Sequence, residues 1–449
     1  MTKILATIGP ATESTLNLKK ILKFTNLVRL NGAHNQIEWH ERISKKIKDI
    51  NPNTKILLDL PGIKPRSQNK EDLFIKKNEI LFFSFINIKN KKHKVIKISK
   101  PLPKTNKAKY LTVSDGKYKF RILKKRKHSI KVKSLESFFL KPGKGVNIPL
   151  SIYSDKYQKK VFFDFLKRTK KIKYDCLGLS FVQNESIIKS IKKFTSNKLI
   201  VSKIENIQGC INLEKIITHS DLIMIDRGDL GAEIGDTNLF RMIEKISKKT
   251  KEKGKPLIMA TENLETMINN SSPSKSEIVS LGFSLKLYSD VIMLSDETAT
   301  SKNFFRILNW LKTFLKNNSY DNFKIHKNFK KKFNLWELIQ NIDHEKTNLV
   351  IFTRKGYAIN KILTIKPNIK IFVFSDNHKV LNTSEFISNC YCKITSKFPT
   401  NMDRFIFKTI KKNKRIIFSN QNDTLLIYVT FPRARSRANT ISNISSKDF

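Results

Sequence analysis

The sequence predicts an α/β fold: a (β/α)8 TIM barrel carrying a small β-barrel lid insertion, followed by a C-terminal α/β domain. Three observations predict it. Eight short apolar runs alternate with Lys-rich amphipathic stretches of helical length. One gap between the third and fourth runs has a different, shorter period. Polar residues cluster just beyond most of the runs, where the C-terminal face of such a barrel carries its chemistry.

The runs, in order, are Ile4 to Ile8, Leu27 to Leu30, Ile56 to Leu58, Leu177 to Val182, Leu199 to Ile204, Leu222 to Ile225, Leu257 to Ala260 and Val291 to Leu294. Continuous apolar strands separated by helices imply a parallel sheet covered on both faces, and eight such units imply closure into a barrel. The gap holds short alternating segments at Glu79 to Asn87, Lys94 to Ile98, Tyr118 to Ile122 and Ser129 to Lys133. Turn signals sit at Asp115-Gly116 and Pro142-Gly143. A second α/β pattern follows, with strands at Leu349 to Phe352, Ile369 to Phe374 and Thr424 to Val429. The expected division is a barrel over 1–66 and 143–318, a β-rich lid over 67–142 and a C-terminal α/β domain over 319–449. A chain of 449 residues is too long for one ordinary core and fits that number of parts.

Composition removes several function classes. The hydrophobic content of 39% supports folding, so the net charge of +49 does not signify disorder. The charge invites a nucleic-acid reading, but 72 of the 87 basic residues are lysine, and the planar fork that reads bases and phosphates belongs to arginine. The lysines are also spread along the chain among many Asn, Ile and Phe, a pattern of background composition. No specific nucleic-acid partner is expected. The longest apolar stretch, near Ile80 to Ile88, is broken by Ser84 and Asn87 and is about half of a membrane span. Four cysteines without CxxC spacing make neither a disulfide framework nor a zinc site. A soluble cytoplasmic protein is expected.

Chemistry is concentrated at the run ends. The second run continues as Arg29-Leu30-Asn31-Gly32-Ala33-His34, and the third is followed by Asp59, Lys64 and Arg66. The fifth ends Lys203-Ile204-Glu205-Asn206, the sixth Asp226-Arg227-Gly228-Asp229, the seventh Thr261-Glu262-Asn263 and the eighth Ser295-Asp296-Glu297-Thr298. Strand alternation puts Lys203 and Glu205 on one face, as it does Arg29 and Asn31. Two carboxylates from neighbouring strands, Glu205 and Asp229, suit a magnesium or manganese ion that keeps waters and bridges to substrate. Arg29, Arg66 and Lys203 supply positive charge for a phosphoryl group in transfer.

These segments, with Thr7-Ile8-Gly9-Pro10-Ala11-Thr12, Arg227-Gly228-Asp229-Leu230-Gly231, Met293-Leu294-Ser295-Asp296-Glu297-Thr298-Ala299 and Gly145-Val146-Asn147-Ile148-Pro149, resemble the pyruvate kinase family over essentially the whole chain. The resemblance implies transfer of phosphate from phosphoenolpyruvate to ADP, giving pyruvate and ATP in glycolysis, by a homotetramer. It implies Glu205 and Asp229 as ligands of the divalent metal and Lys203 as the charge that neutralises the phosphoryl group and the enolate. It further implies Thr261 on the proton path and Arg29 and Arg66 gripping the phosphoryl group. It implies contacts to substrate or nucleotide from Asn31, His34, Asp115, Lys144, Gly228, Asp229 and Thr261, and a monovalent-cation pocket shaped by Asn31 and Asp59.

The sequence departs from the family at points with physical meaning. Hydroxyls that many members use for potassium are replaced by Ala33 and Leu60, and a glutamate by Lys64, whose ammonium can stand in for the ion. Potassium is therefore expected not to be required. Asp226 replaces a usual alanine, Glu262 a glutamine and Asp296 a glycine, adding negative charge near the metal. The effector-type loop reads Thr353-Arg354-Lys355-Gly356-Tyr357-Ala358 without its serines, and the last loop carries Arg433, Arg435 and Arg437 without its glycines. Weak or absent sugar-phosphate activation is expected. Two other readings stay open: a homologue retuned for another phosphorylated substrate or weakened in catalysis, and a basic RNA-associated protein.

Overall fold

The computed structural model describes residues 1–104, 108–114, 116–195, 198–318, 336, 339–340, 342–343, 345–365, 368–399, 402–420, 422–428 and 440–449. Three strands open the chain: β1 (Lys3–Ile8), β2 (Leu27–Asn31) and β3 (Lys55–Asp59). Eight short ones follow: β4 (Leu73–Ile75), β5 (Ile80–Ser84), β6 (Lys94–Lys97), β7 (Tyr110–Val113), β8 (Tyr118–Lys125), β9 (Ser129–Ser134), β10 (Phe138–Leu140) and β11 (Val146–Asn147). Five more complete the first sheet: β12 (Cys176–Leu179), β13 (Leu199–Ile204), β14 (Leu222–Asp226), β15 (Leu257–Ala260) and β16 (Val291–Leu294).

Strands β1–β3 and β12–β16 close a parallel barrel in the order β1-β16-β15-β14-β13-β12-β3-β2. Alternation divides their side chains cleanly. Leu5, Leu27, Leu57, Cys176, Leu199, Val201, Leu222, Met224, Ile258, Ala260, Val291 and Met293 fill the interior. Ile4, Ala6, Val28, Leu30, Ile56, Leu58, Ile200 and Ile223 face the surrounding helices. Following the interior series upward, Leu27 leads to Arg29 and Asn31, Leu57 to Asp59, Leu199 and Val201 to Lys203 and Glu205, and Leu222 and Met224 to Asp226. The same strands are apolar at the bottom of the barrel and charged at the top. Helix starts are fixed locally: Ser14, Ser154 and Ser274 accept from backbone amides of their first turns, and Glu277 completes a capping box with Ser274.

The strands inserted between β3 and β12 form a six-stranded sheet, β11-β7-β8-β9-β5-β6, and a β10-β4 ribbon around one apolar core that includes Ile75, Phe83, Phe120, Phe138 and Val146; β11 joins this sheet from beyond residue 142, outside the 67–142 bounds expected for the insertion. The sequence pattern finds four of these strands. It misses β4, β7, β10 and β11, which are two to four residues long and too short to show a period. The fourth barrel strand also ends earlier than its apolar run: the ladder stops at Leu179, and Phe181 takes a left-handed φ of 55°.

The C-terminal sheet has order β19-β18-β17-β20-β21, built from β17 (Thr347–Phe352), β18 (Lys370–Ser375), β19 (Cys390–Ile394), β20 (Asp423–Tyr428) and β21 (Thr440–Ile444). Four strands run parallel and β21 is antiparallel to β20. The sequence reading lacks the two edge strands, β19 and β21. The last residue of its third strand, Val429, lies outside the described residues. Among the described residues no helix is long and apolar enough to cross a membrane.

The C-terminal part closes the floor of the barrel. Phe386, fully buried, joins the interior cluster. Beside it Asp290 accepts from the Ser388 amide and hydroxyl at 3.2 Å each and pairs with buried Lys251. Phe386→Ala is expected to cost about 3 kcal/mol, the lower part of the range for a large buried aromatic. Urea unfolding of the two proteins measures it, and an unchanged midpoint would remove Phe386 from the floor's energetics.

Candidate active site

The top of the barrel holds a buried ion network. Lys203 Nζ, on β13, lies 2.7 Å from Glu205 Oε1, 3.2 Å from Asp59 Oδ2 and 3.3 Å from Asp226 Oδ2. Burial works to discharge the ammonium, but Asp59, Glu205 and Asp226 together reverse that and hold it well above its ordinary value. Arg29, on β2, donates through Nε (3.0 Å) and Nη2 (2.7 Å) to the same oxygen of Asp59, and through Nη1 to Thr7 Oγ1 at 3.2 Å. Asp59 is fully buried; burial opposes its charge, and Lys203 and Arg29 overcome it, keeping the carboxyl below its usual range. Gly178 makes room, since a Cβ there would sit 2.8 Å from Asp59 Oδ1.

Asp229 and Glu205 come together as the sequence reading expects, and Asp226 joins them: the three offer carboxylate oxygens that all lie within 4.8 Å of one another. Hard oxygen donors in that number fit a magnesium or manganese ion. Glu205 Oε2 accepts from the Phe181 amide at 2.5 Å. Burial, together with Asp226 and Asp229, pushes the Glu205 carboxyl up to about 8 against the pull of Lys203. A divalent cation is the natural counter-charge for such a crowd. Asp229 stands in the first turn of helix Arg227–Ile234, which leaves directly from β14, so the amino end of the helix favours its negative charge.

Lys64 Nζ lies 2.5 Å from Asp229 Oδ1. Its ammonium is thus fixed beside a candidate divalent ligand, while the Asp59 carboxylate is taken by Arg29, Lys203 and Ser180, the last at 3.3 Å. Just before β11, Gly145 leaves room for the end of Lys64: a Cβ there would displace Cε and Nζ from their place beside Asp229. Four residues beyond Asp229 on the same helix face, Glu233 Oε1 accepts from Asn147 Nδ2 at 3.1 Å. Both hinge segments of the lid are thereby tied to one helix.

The remaining site residues ring the mouth. Asn31 pairs in register with Asp59 and accepts from the Ala33 amide at 3.2 Å. His34 is exposed, and its carbonyl contacts His40 Nε2 at 2.8 Å. Arg66 is exposed and donates to Gly143 O at 3.0 Å. The backbone of Lys144 pairs with Ser67, its carbonyl accepting at 2.8 Å. The Gly228 amide donates to Thr261 Oγ1 at 3.2 Å. Asp115, Arg433, Arg435 and Arg437 lie outside the described residues. Of the acidic departures, Asp226 is inside the network, whereas Glu262 and Asp296 are exposed. Arg354 of the effector-type loop is engaged by Asp376 at 3.0 Å and by Phe398 O at 2.7 Å.

Two contributors escape the sequence reading. The Phe181 amide that holds Glu205 is a backbone donor, which residue type does not announce. Arg227, buried under the site, donates to Glu262 O (2.7 Å), Asn263 Oδ1 (2.9 Å) and Ser280 Oγ (2.6 Å), and also to Thr261 O. Its position inside the Arg-Gly-Asp motif was legible, but its targets are 33 or more residues away and only the fold reveals them.

Residues 1–305 match the family described as "Pyruvate kinase, barrel domain". The chain belongs to the pyruvate kinase family. Among curated pyruvate kinases, that of Buchnera aphidicola subsp. Schizaphis graminum is 34% identical over 319 residues, covering 67% of this chain and 66% of that one. That of Thermotoga maritima is 31% identical over 316 residues, covering 67% of each. The matched stretch thus spans about two thirds of the length of these pyruvate kinases. A crystal structure of a pyruvate kinase from Cryptosporidium parvum shares the fold over 99% of this chain and 95% of that one, with a TM-score of 0.83 at 22% identity.

The hinge tie makes a pH prediction. Burial first, and then Asp229, push the Glu233 carboxyl up to about 8, with Asn147 and Lys64 pulling the other way. The folded chain therefore binds a proton here that the unfolded chain releases near pH 4.5, so Glu233 lowers stability progressively as pH rises from about 4.5 to about 8. Glu233→Gln is expected to gain in melting temperature over wild type at pH 8 and to lose that advantage at pH 5. A constant offset at the two pH values would contradict the assignment.

Proposed function

We propose that this chain transfers the phosphoryl group of phosphoenolpyruvate to ADP, forming pyruvate and ATP in glycolysis. The observation that carries the reading is Lys203, buried and charged among Asp59, Glu205 and Asp226 at the mouth of a pyruvate kinase-family barrel. In the reaction the bond from phosphorus to the enol oxygen breaks, and a bond to the terminal phosphate oxygen of ADP forms. Lys203, held firmly protonated, cannot serve as the base; it supplies fixed positive charge to the moving phosphoryl group and to the enolate oxygen. Arg29 and Arg66 orient the phosphoryl oxygens. Thr261 Oγ1 holds the water that protonates the enolate carbon. Glu205 and Asp229 would hold Mg2+ or Mn2+, which when bound adds Lewis-acid charge at the phosphate oxygens.

On this reading residues 1–66 and 143–318 are the catalytic unit, 67–142 the lid and 319–449 the C-terminal domain of a cytoplasmic homotetramer with no specific nucleic-acid partner. Asn31, His34, Asp115, Lys144 and Gly228 line the substrate and nucleotide positions. Potassium is not required: Ala33 and Leu60 offer no hydroxyl ligands, and Lys64, whose ammonium is seated against Asp229 and not at Asn31 and Asp59, brings a fixed monovalent charge of its own to the mouth.

A coupled assay of pyruvate formation with ADP tests the activity. Lys203→Met is expected to lose at least ~100-fold in kcat, the scale of one transition-state charge contact; equal rates in both proteins would refute the role of the lysine. Turnover is expected to be the same in potassium and in tetramethylammonium salts. A large stimulation by potassium would overturn the cation assignment.

A further inference from the structure

The Thr261 hydroxyl meets three polar groups where β14 and β15 end. Its oxygen is 3.2 Å from Asp226 Oδ1 and 2.8 Å from Ala260 O, and it accepts from the Gly228 amide at 3.2 Å. The other carboxylate oxygen of Asp226 is 3.3 Å from Lys203 Nζ. A hydroxyl has one proton and two lone pairs, so it can satisfy only one of its two acceptors. Donating to Ala260 O folds the O–H back along its own backbone. Donating to Asp226 directs it across the mouth and leaves one lone pair, beside the one used by Gly228, for a water.

The backbone beneath cannot adjust to help. Thr261 and Glu262 both take left-handed φ, 59° and 51°, an uncommon pair for residues with a Cβ and especially for a β-branched threonine. Arg227 locks them there through the carbonyls of both residues. With the main chain fixed, the direction of the hydroxyl is decided by what accepts from it.

We propose that Asp226 is a positioning residue for the protonation half of the reaction, bridging Lys203 and Thr261 so that the threonine hydroxyl holds its water over the enolate carbon that the lysine faces. The proposal rests on the pyruvate kinase reading given above. In the step, a C–H bond forms at the enolate carbon as an O–H bond of that water breaks. The hydroxide left behind takes a proton from solvent, and neither Thr261 nor Asp226 changes its proton count.

The test separates proton transfer from the rest of the reaction. Exchange of the pyruvate methyl protons with D2O, in the presence of Mg2+ and ATP, is followed by NMR, alongside kcat and KM for phosphoenolpyruvate and the affinity for Mn2+. Asp226→Ala is expected to slow exchange about tenfold or more, with KM changed less than about threefold, a smaller loss than the ~100-fold or more that a group transferring the proton itself supplies. Asp226→Asn, whose amide oxygen still accepts from the hydroxyl, is expected to recover most of the loss. The Asp226→Ala/Thr261→Ala pair should exchange no more slowly than Thr261→Ala alone, because the two side chains act as one unit. If alanine leaves a hole that lowers the melting temperature, Asp226→Leu, similar in size and unable to accept, gives the same readout. Unchanged exchange, or additive losses, would overturn the proposal. Equal damage from Asn and Ala with matching loss of Mn2+ affinity would also overturn it, making Asp226 a partner of the ion instead. A wild type that neither forms pyruvate nor exchanges its methyl protons would refute the underlying activity, whereas an active wild type indifferent to Asp226 refutes only this inference.

Discussion

One ammonium surrounded by three carboxylates organises the upper half of this molecule. In a dry barrel Asp59, Glu205 and Asp226 offset the burial of the Lys203 charge, with Asp59 and Glu205 contributing most, and the ammonium in turn draws those carboxylates together. The strands fix the arrangement: three of the four groups belong to neighbouring positions in one closed ladder, and Arg29 from β2 adds a second cation to Asp59. The apolar lower layers of the barrel make the network costly to disturb, because they leave no water beneath it to solvate a charge that loses its partner.

The barrel was readable in the sequence because strands buried on both faces must be apolar throughout, and their charged ends then stand out against the runs. Lys203, Glu205 and Asp229 were readable for that reason, since a carboxylate and a lysine two positions apart on such a strand have nowhere to point but the mouth. The Phe181 amide and the grip of Arg227 on Thr261 to Asn263 were not readable. Backbone donors leave no trace in residue type, and a buried arginine names its partners only when distant loops are brought beside it. Short lid strands such as β10 and β11 are recruited by pairing with longer neighbours, with no period of their own.

The C-terminal part of the chain meets the barrel from below. Phe386 completes the same interior stack whose upper members carry the charged residues, and Asp290 fastens Ser388 and Lys251 at that floor. Interior side chains pack layer on layer, so the floor and the mouth belong to one continuous column.

The tie between Lys64 and Asp229 has a thermodynamic side. One oxygen of Asp229 faces the ammonium of the lid's outgoing hinge, and that carboxylate is also among those suited to a divalent ion. Ion and hinge therefore draw on a common counter-charge, and their free energies are linked. If one hinge arrangement favours the ion by some factor, the ion favours that arrangement by the same factor. Ion affinity and hinge geometry in this chain are two readings of a single coupling.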